Sequence, residues 1–206
     1  MVEWSTMRKS REKGNPKAEF RELIIQEARK NFARFGFRKT SVDEIAGSLR
    51  MGKSSLYYYF RTKDEMFEAV LHHEADLFRS EIAREVGAAD TAQQKLGAYV
   101  ITRMRVFRDL INFYQAFKDR YLENVPFVEK FRKEYDLEEA SFIKDILQDG
   151  VTRGEFHMND PQTASIALVT LLKGLEFRWA ESQNEEELSK HGRDLLEVLF
   201  HGILRR

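Results

Sequence analysis

The stretch Thr40–Phe60, TSVDEIAGSLRMGKSSLYYYF, decides the fold of this 206-residue chain. Ser41 followed three residues later by Glu44 is a capping box, in which each side chain satisfies a backbone N–H that the helix leaves without a partner. Val42, Ile45, Ala46 and Leu49 then recur at helical spacing and predict a buried stripe. Arg50-Met51-Gly52 breaks the pattern. A second short helix is expected from about Lys53 to Phe60, anchored by Leu56 and Phe60, which lie four residues apart on one face. Helix, tight turn, helix is the plan that places a second helix in the DNA major groove.

The pattern extends outward on both sides. Ile24-Ile25-Gln26-Glu27-Ala28 and Phe32-Ala33-Arg34-Phe35-Gly36-Phe37 precede it, and Lys63-Asp64-Glu65-Met66-Phe67 follows Leu56-Tyr57-Tyr58-Tyr59-Phe60. In order, spacing and residue type, residues 20 to 67 resemble the DNA-binding segment of TetR-family (tetracycline-repressor-like) bacterial transcription regulators. One position departs from that pattern. Arg50 stands in the turn where glycine is usual, with glycine following at Gly52, and glycine ordinarily supplies a positive φ in such a turn. The resemblance implies DNA contact by Thr40, Lys53, Ser54, Ser55, Tyr57, Tyr58, Tyr59 and Lys63.

Elementary geometry supports most of that set. With Leu56 and Phe60 facing inward at 100° per residue, Ser54 and Tyr58 point outward and Ser55 and Tyr57 flank them. Tyr59 falls near the buried side. Small hydroxyls let a helix approach base edges, and lysines at its ends suit phosphates. Thr40, at the start of the preceding helix, has a hydroxyl and free N–H groups to offer a phosphate. The blander reading is that the tyrosines only cover the first helix.

The same segment contains a decoy. Gly47-Ser48-Leu49-Arg50-Met51-Gly52-Lys53-Ser54 satisfies the nucleotide-binding pattern G-x-x-x-x-G-K-S, which requires a β-strand directly upstream. Here the upstream residues read as a capped amphipathic helix. A nucleotide-binding enzyme is therefore only a remote alternative, and the chain is not expected to be an enzyme.

Hydrophobic residues make up 42% of the chain and charged residues 33%, as in an ordinary globular protein. The absence of cysteine excludes disulfides and thiolate metal sites and fits a reducing cytoplasm, where the protein is expected to reside. No apolar run is long enough for a secretory signal or a membrane span. The net charge of zero conceals an asymmetry. Residues 1–66 carry 15 Lys and Arg against 9 Asp and Glu, and residues 67–206 carry 19 against 25. A basic N-terminal third suits contact with a polyanion, although solvated faces alone also give such fluctuations.

Residues 1–14 read as a flexible basic arm, 15–62 as the helix-turn-helix domain and 63–206 as an effector-binding and dimerisation domain. Asn15-Pro16 opens a helix whose apolar face is expected to be Phe20, Leu23, Ile24, Ala28, Phe32 and Phe35, ended by Gly36. Thr62–Glu65 is a second capping box and opens a long helix to about Val86. Further helices are expected over 91–107, 109–122, 128–152 and 161–181, with a last one capped by Asn184. No segment alternates with period two. The reading is an all-α chain of about nine helices.

The acidic remainder is rich in aromatics. The resemblance implies an effector pocket and a dimer interface there, and its candidate effector residues are Arg103, Phe113, Phe117, Tyr121, Phe142 and Trp179. For any one of them, a core position or a surface ion pair is the plainer account. The last two helices carry more apolar surface than a terminal helix needs. Leu171, Gly174, Leu175, Leu195, Leu199, Phe200 and Ile203 are the expected dimer contacts, in a four-helix seam with two-fold symmetry. No histidine has a partner at metal-ligand spacing, and no metal or cofactor is expected. The expected partners are palindromic double-stranded DNA, a small apolar effector and a second copy of the chain. The expected function is a ligand-responsive transcription regulator acting as a repressor. The alternative is a DNA-binding adaptor or nucleoid-associated protein of the same fold without an effector.

Overall fold

A computed structural model gives the structure of the protein and describes residues 15–110, 112, 125–180 and 185–201. Eight helices are found among the described residues: α1 (Pro16–Phe35), α2 (Val42–Ser48), α3 (Lys53–Tyr57), α4 (Lys63–Gly87), α5 (Ala92–Asp109), α6 (Pro126–Thr152), α7 (Pro161–Ala180) and α8 (Glu185–His201). No strand occurs among them. The helix expected over 109–122 falls almost wholly outside the described residues, as do the basic arm 1–14, the Asn184 cap and Ile203.

The chain divides into two compact units that do not follow the expected sequential division. One takes the described residues up to Leu77 together with those of Leu110–Lys130; the other takes Phe78–Asp109 and the described residues from Phe131 onward.

In the first unit, α1 begins where Asn15 accepts from the Lys17 N–H and Pro16 occupies the first turn. It ends at Gly36, whose φ of 80° only glycine adopts without strain. Its buried face is Ile24, Ile25, Ala28, Asn31 and Phe32. This corrects the expected face: Leu23 and Phe35 are 49% and 44% exposed. Leu23 lies roughly 140° from the centre of the buried stripe at 100° per residue, so hydrophobicity alone placed it wrongly. Phe32 and Phe37 meet Phe67 of α4 with ring centroids 5.0 and 4.7 Å away. Phe127 joins Phe37 at 6.5 Å, which draws the start of α6 into this unit. Asn112 adds a polar tie, donating to the Arg29 carbonyl at 3.0 Å and to the Glu74 carboxylate at 2.9 Å.

In the second unit, α5 packs against α7 and α8. Ser165, Val169 and Leu172 are buried positions of α7. Close approach of α8 to α5 depends on Gly192. A Cβ there would stand 2.5 Å from Ile101 Cδ1 and 3.0 Å from Met104 Sδ.

Candidate nucleic-acid interface

The helix-turn-helix is built from strong local signals. The Ser41 backbone N–H donates to Glu44 Oε2 at 2.7 Å, and the Glu44 N–H donates to Ser41 Oγ at 3.2 Å. The Ser41 backbone N–H, and after it the Ser41 hydroxyl, which donates to Glu44 Oε2 at 2.9 Å, hold the Glu44 carboxyl below its ordinary pKa. At the other end of α2, the Met51 N–H reaches the Ala46 carbonyl and the Arg50 N–H the Gly47 carbonyl, each at 3.0 Å. This double closure is a Schellman motif and needs a left-handed residue at its corner. Arg50 takes that place, with φ 54°. Gly52 does not, because its φ of −74° already belongs to the extended cap of α3. A non-glycine residue there costs about 1–2 kcal/mol, which the two closing bonds offset.

Five residues are too few for an isolated helix to persist in water. The sequence predicted α3 as far as Phe60; it ends at Tyr57, and Tyr58–Tyr59 form a turn. What holds it is burial. Leu56 and Phe60 are completely inaccessible, which stabilises the element by about 1.5–3 kcal/mol for each side chain. The Arg21 guanidinium lies 4.6 Å from the Phe60 ring centroid. With those two side chains inward, Lys53, Ser54, Ser55, Tyr57 and Tyr58 are exposed, Tyr58 at 68%. Tyr59 is half-buried and packs on Phe20 at 5.3 Å, the inward lean that the helical angle indicated.

Two cations border this face. Lys53 Nζ lies 2.7 Å from Asp43 Oδ2 at the first turn of α2. Lys17 Nζ lies 4.4 Å from the Tyr58 ring centroid and donates to its hydroxyl at 3.2 Å. Neither Asp43 nor Lys17 was found from the sequence. No short-range pattern links residue 17 to residue 58, and an acidic residue near a helix start reads as ordinary dipole compensation.

Thr40 is buried and Lys63 half-buried, and both bond to loop carbonyls. Thr40 is 1% exposed, and its hydroxyl donates toward the carbonyls of Gly36 at 2.9 Å and Asn31 at 3.2 Å. Lys63 Nζ donates to the carbonyls of Phe37 at 2.9 Å and Thr40 at 3.2 Å, and sits 4.5 Å from the Phe37 ring centroid. Both side chains clasp the turn that launches α2, because its carbonyls need donors that backbone alone does not supply. The nucleotide-binding reading fails on context. Gly47 lies in helix α2, and the Lys53 ammonium is held by a carboxylate.

In the second unit Arg103 is buried rather than part of a surface ion pair. It is 2% exposed, with Nε 2.7 Å from Glu139 Oε1 and Nη2 3.3 Å from Oε2. The Tyr99 hydroxyl also donates to Glu139 Oε1. Burial first, then the Glu139 charge, pushes the Tyr99 hydroxyl well above its ordinary pKa. Phe142 is buried beside Tyr99 at 5.9 Å. Phe113, Phe117 and Tyr121, and the Trp179 side chain, lie outside the described residues. Among the expected dimer contacts, Leu171 and Gly174 are exposed, and Leu175, Leu195, Leu199 and Phe200 are half-buried. Phe200 stacks on Phe156 of its own chain at 6.1 Å. No group of three potential metal ligands occurs among the described residues.

Residues 24–70 match the family model for bacterial regulatory proteins of the tetR family. A transcriptional regulator from Cytophaga hutchinsonii is 30% identical over 89% of this chain and 98% of its own, with a TM-score of 0.72. The chain belongs to the TetR family of bacterial transcription regulators. Members of this family are regulators rather than enzymes, and so is this chain. The chain is also similar to the HTH-type transcriptional repressor KstR2 of Mycolicibacterium smegmatis, at 23% identity over 89% of this chain and 90% of the repressor. FadR of Bacillus subtilis, solved in complex with stearoyl-CoA, shares the fold with a TM-score of 0.69 at 18% identity, over 89% of this chain and 99% of FadR. No described helix of this TetR-family regulator is long and apolar enough to cross a membrane.

Proposed function

We propose that this regulator is a cytoplasmic homodimeric repressor that holds a palindromic operator through α3 and releases it when a small, mostly apolar effector binds. The observation that carries the DNA reading is the division of α3 into two faces. Leu56 and Phe60 are wholly buried, whereas Lys53, Ser54, Ser55, Tyr57 and Tyr58 stand exposed. Hydroxyls and phenol rings on a helix fixed by its other side can meet base edges, thymine methyls and phosphates. Thr40 and Lys63 support that face from behind, and Tyr59 wedges it against α1.

Exposed Ile166, Leu171 and Gly174 on α7 support a seam with a second copy of the chain. Two copies would present α3 to half-sites about 34 Å apart. KstR2 is a repressor by name, which favours repression, and FadR holds stearoyl-CoA, which favours an effector with an apolar part. Such an effector acts by binding better to a dimer whose recognition helices no longer match the half-site spacing.

The test is operator selection from random duplexes with the full chain, followed by binding of Tyr58→Ala to the selected site. Tyr58 is exposed, so the variant should melt with wild type yet bind at least tenfold more weakly. Wild-type affinity in a correctly folded Tyr58→Ala dimer removes α3 from the interface.

A further inference from the structure

Lys53 and Asp43 form an ion pair across the turn of the helix-turn-helix, 2.7 Å apart with side chains 48% and 64% exposed. The pair joins the first residue of α3 to the first turn of α2, beside the exposed Ser54. Dipole compensation does not account for Asp43 fully. Glu44 already closes that end of α2 through Ser41, whereas the Asp43 carboxylate is given to Lys53. Asp43 is also the largest cause of the raised pKa of Lys53, so this lysine keeps its charge while carrying a counter-charge of its own.

Binding to DNA of any sequence is mostly phosphate neutralisation, and each cation brought to a phosphate adds about 0.9 to the salt slope. A lysine that brings its own carboxylate adds little net charge to that attraction. Contacts of Ser54, Ser55, Tyr57 and Tyr58 with base edges do not depend on net charge in this way. We infer that Asp43 is a specificity-determining residue of the interface: paired with Lys53, it suppresses attraction to DNA of random sequence more than attraction to the operator. The inference rests on the proposed placement of α3 against DNA. Asp43 acts through Lys53 and needs no contact with DNA itself.

The experiment titrates the full chain against a random-sequence duplex and the selected operator between 50 and 200 mM salt. Wild type, Asp43→Asn, Asp43→Ser, Lys53→Ala and the Asp43→Asn/Lys53→Ala double variant are compared, with melting temperatures recorded for each. Both Asp43 variants should bind random DNA roughly tenfold more tightly at low salt, with a slope steeper by about 0.9 per subunit. Their preference for the operator should fall by a similar factor. The double variant should return close to wild type on random DNA. Unchanged random-DNA binding by folded Asp43→Asn and Asp43→Ser, while Tyr58→Ala still loses the operator, overturns the role of Asp43 and leaves α3 in place. Equal gains on both duplexes overturn it as well. If Tyr58→Ala and Lys53→Ala both bind as wild type, the placement of α3 itself fails.

Discussion

Lys53–Asp43 in the DNA-binding segment and Arg103–Glu139 in the larger unit are both cation–carboxylate pairs at 2.7 Å. The first has side chains 48% and 64% exposed; the second, 3% and 0%. Distance is the same and the physics is not. The exposed pair is screened by water and salt and can exchange a partner for a phosphate. The buried pair has given up its hydration, and hydrogen bonds and ion pairing inside the protein must replace it, the Tyr99 hydroxyl adding to the bonds on Glu139. Position relative to solvent therefore separates a pair available for recognition from one that belongs to the architecture.

The largest effect expected from this contrast is at Glu139. Glu139→Ala leaves the Arg103 guanidinium buried and without its carboxylate, a loss of about 3–5 kcal/mol. For a chain of this size that lowers the melting temperature by roughly 6–20 °C. Replacing both members, Arg103→Met with Glu139→Leu, should recover part of the loss, since a well-packed apolar pair of similar volume is often neutral while the buried Tyr99 hydroxyl still loses its Glu139 acceptor. A double variant no better than Glu139→Ala would break the contrast.

Tyr99 sharpens it through pH. Its folded pKa is raised by burial and by Glu139, while in the unfolded chain it ionises near about 10. Below that value the contribution to stability is fully present. As pH rises above it, the unfolded state loses a proton that the folded state keeps, so stability falls. Alkaline melting of wild type should therefore steepen from about pH 10, and Tyr99→Phe should flatten that limb. A slope unchanged in Tyr99→Phe contradicts the assignment.

The smallest expected effect lies at the exposed pair. Asp43→Asn and Lys53→Ala should each leave the melting temperature near that of wild type, measured at the same salt as the DNA titrations. A drop comparable to that of Glu139→Ala would make the exposed pair structural.

What was legible in the sequence follows the same line. The capping box at Ser41–Glu44, the buried anchors Leu56 and Phe60, and the outward Ser54 and Tyr58 were all readable, because each depends on residues within a few positions. The left-handed corner fell on Arg50 rather than on a glycine because the two closing bonds of α2 fix which residue turns it. The bonds of Thr40 and Lys63 were not readable, because their partners are carbonyls of a loop and no side-chain pattern announces these. The burial of Arg103 is not legible locally, since Glu139 lies 36 residues away on another helix. Leu23 looked like core because apolar character was counted without asking which face the neighbouring helices cover.

The most direct test of the central claim uses the lack of cysteine. Ser54→Cys and Leu137→Cys each introduce a single thiol, at an exposed site of α3 and at a 73% exposed site of α6. The rate of maleimide alkylation is measured with and without saturating operator duplex. If the outer face of α3 meets DNA, the duplex slows alkylation of Ser54→Cys severalfold and leaves Leu137→Cys unchanged. Equal rates for Ser54→Cys with and without bound operator would contradict the account.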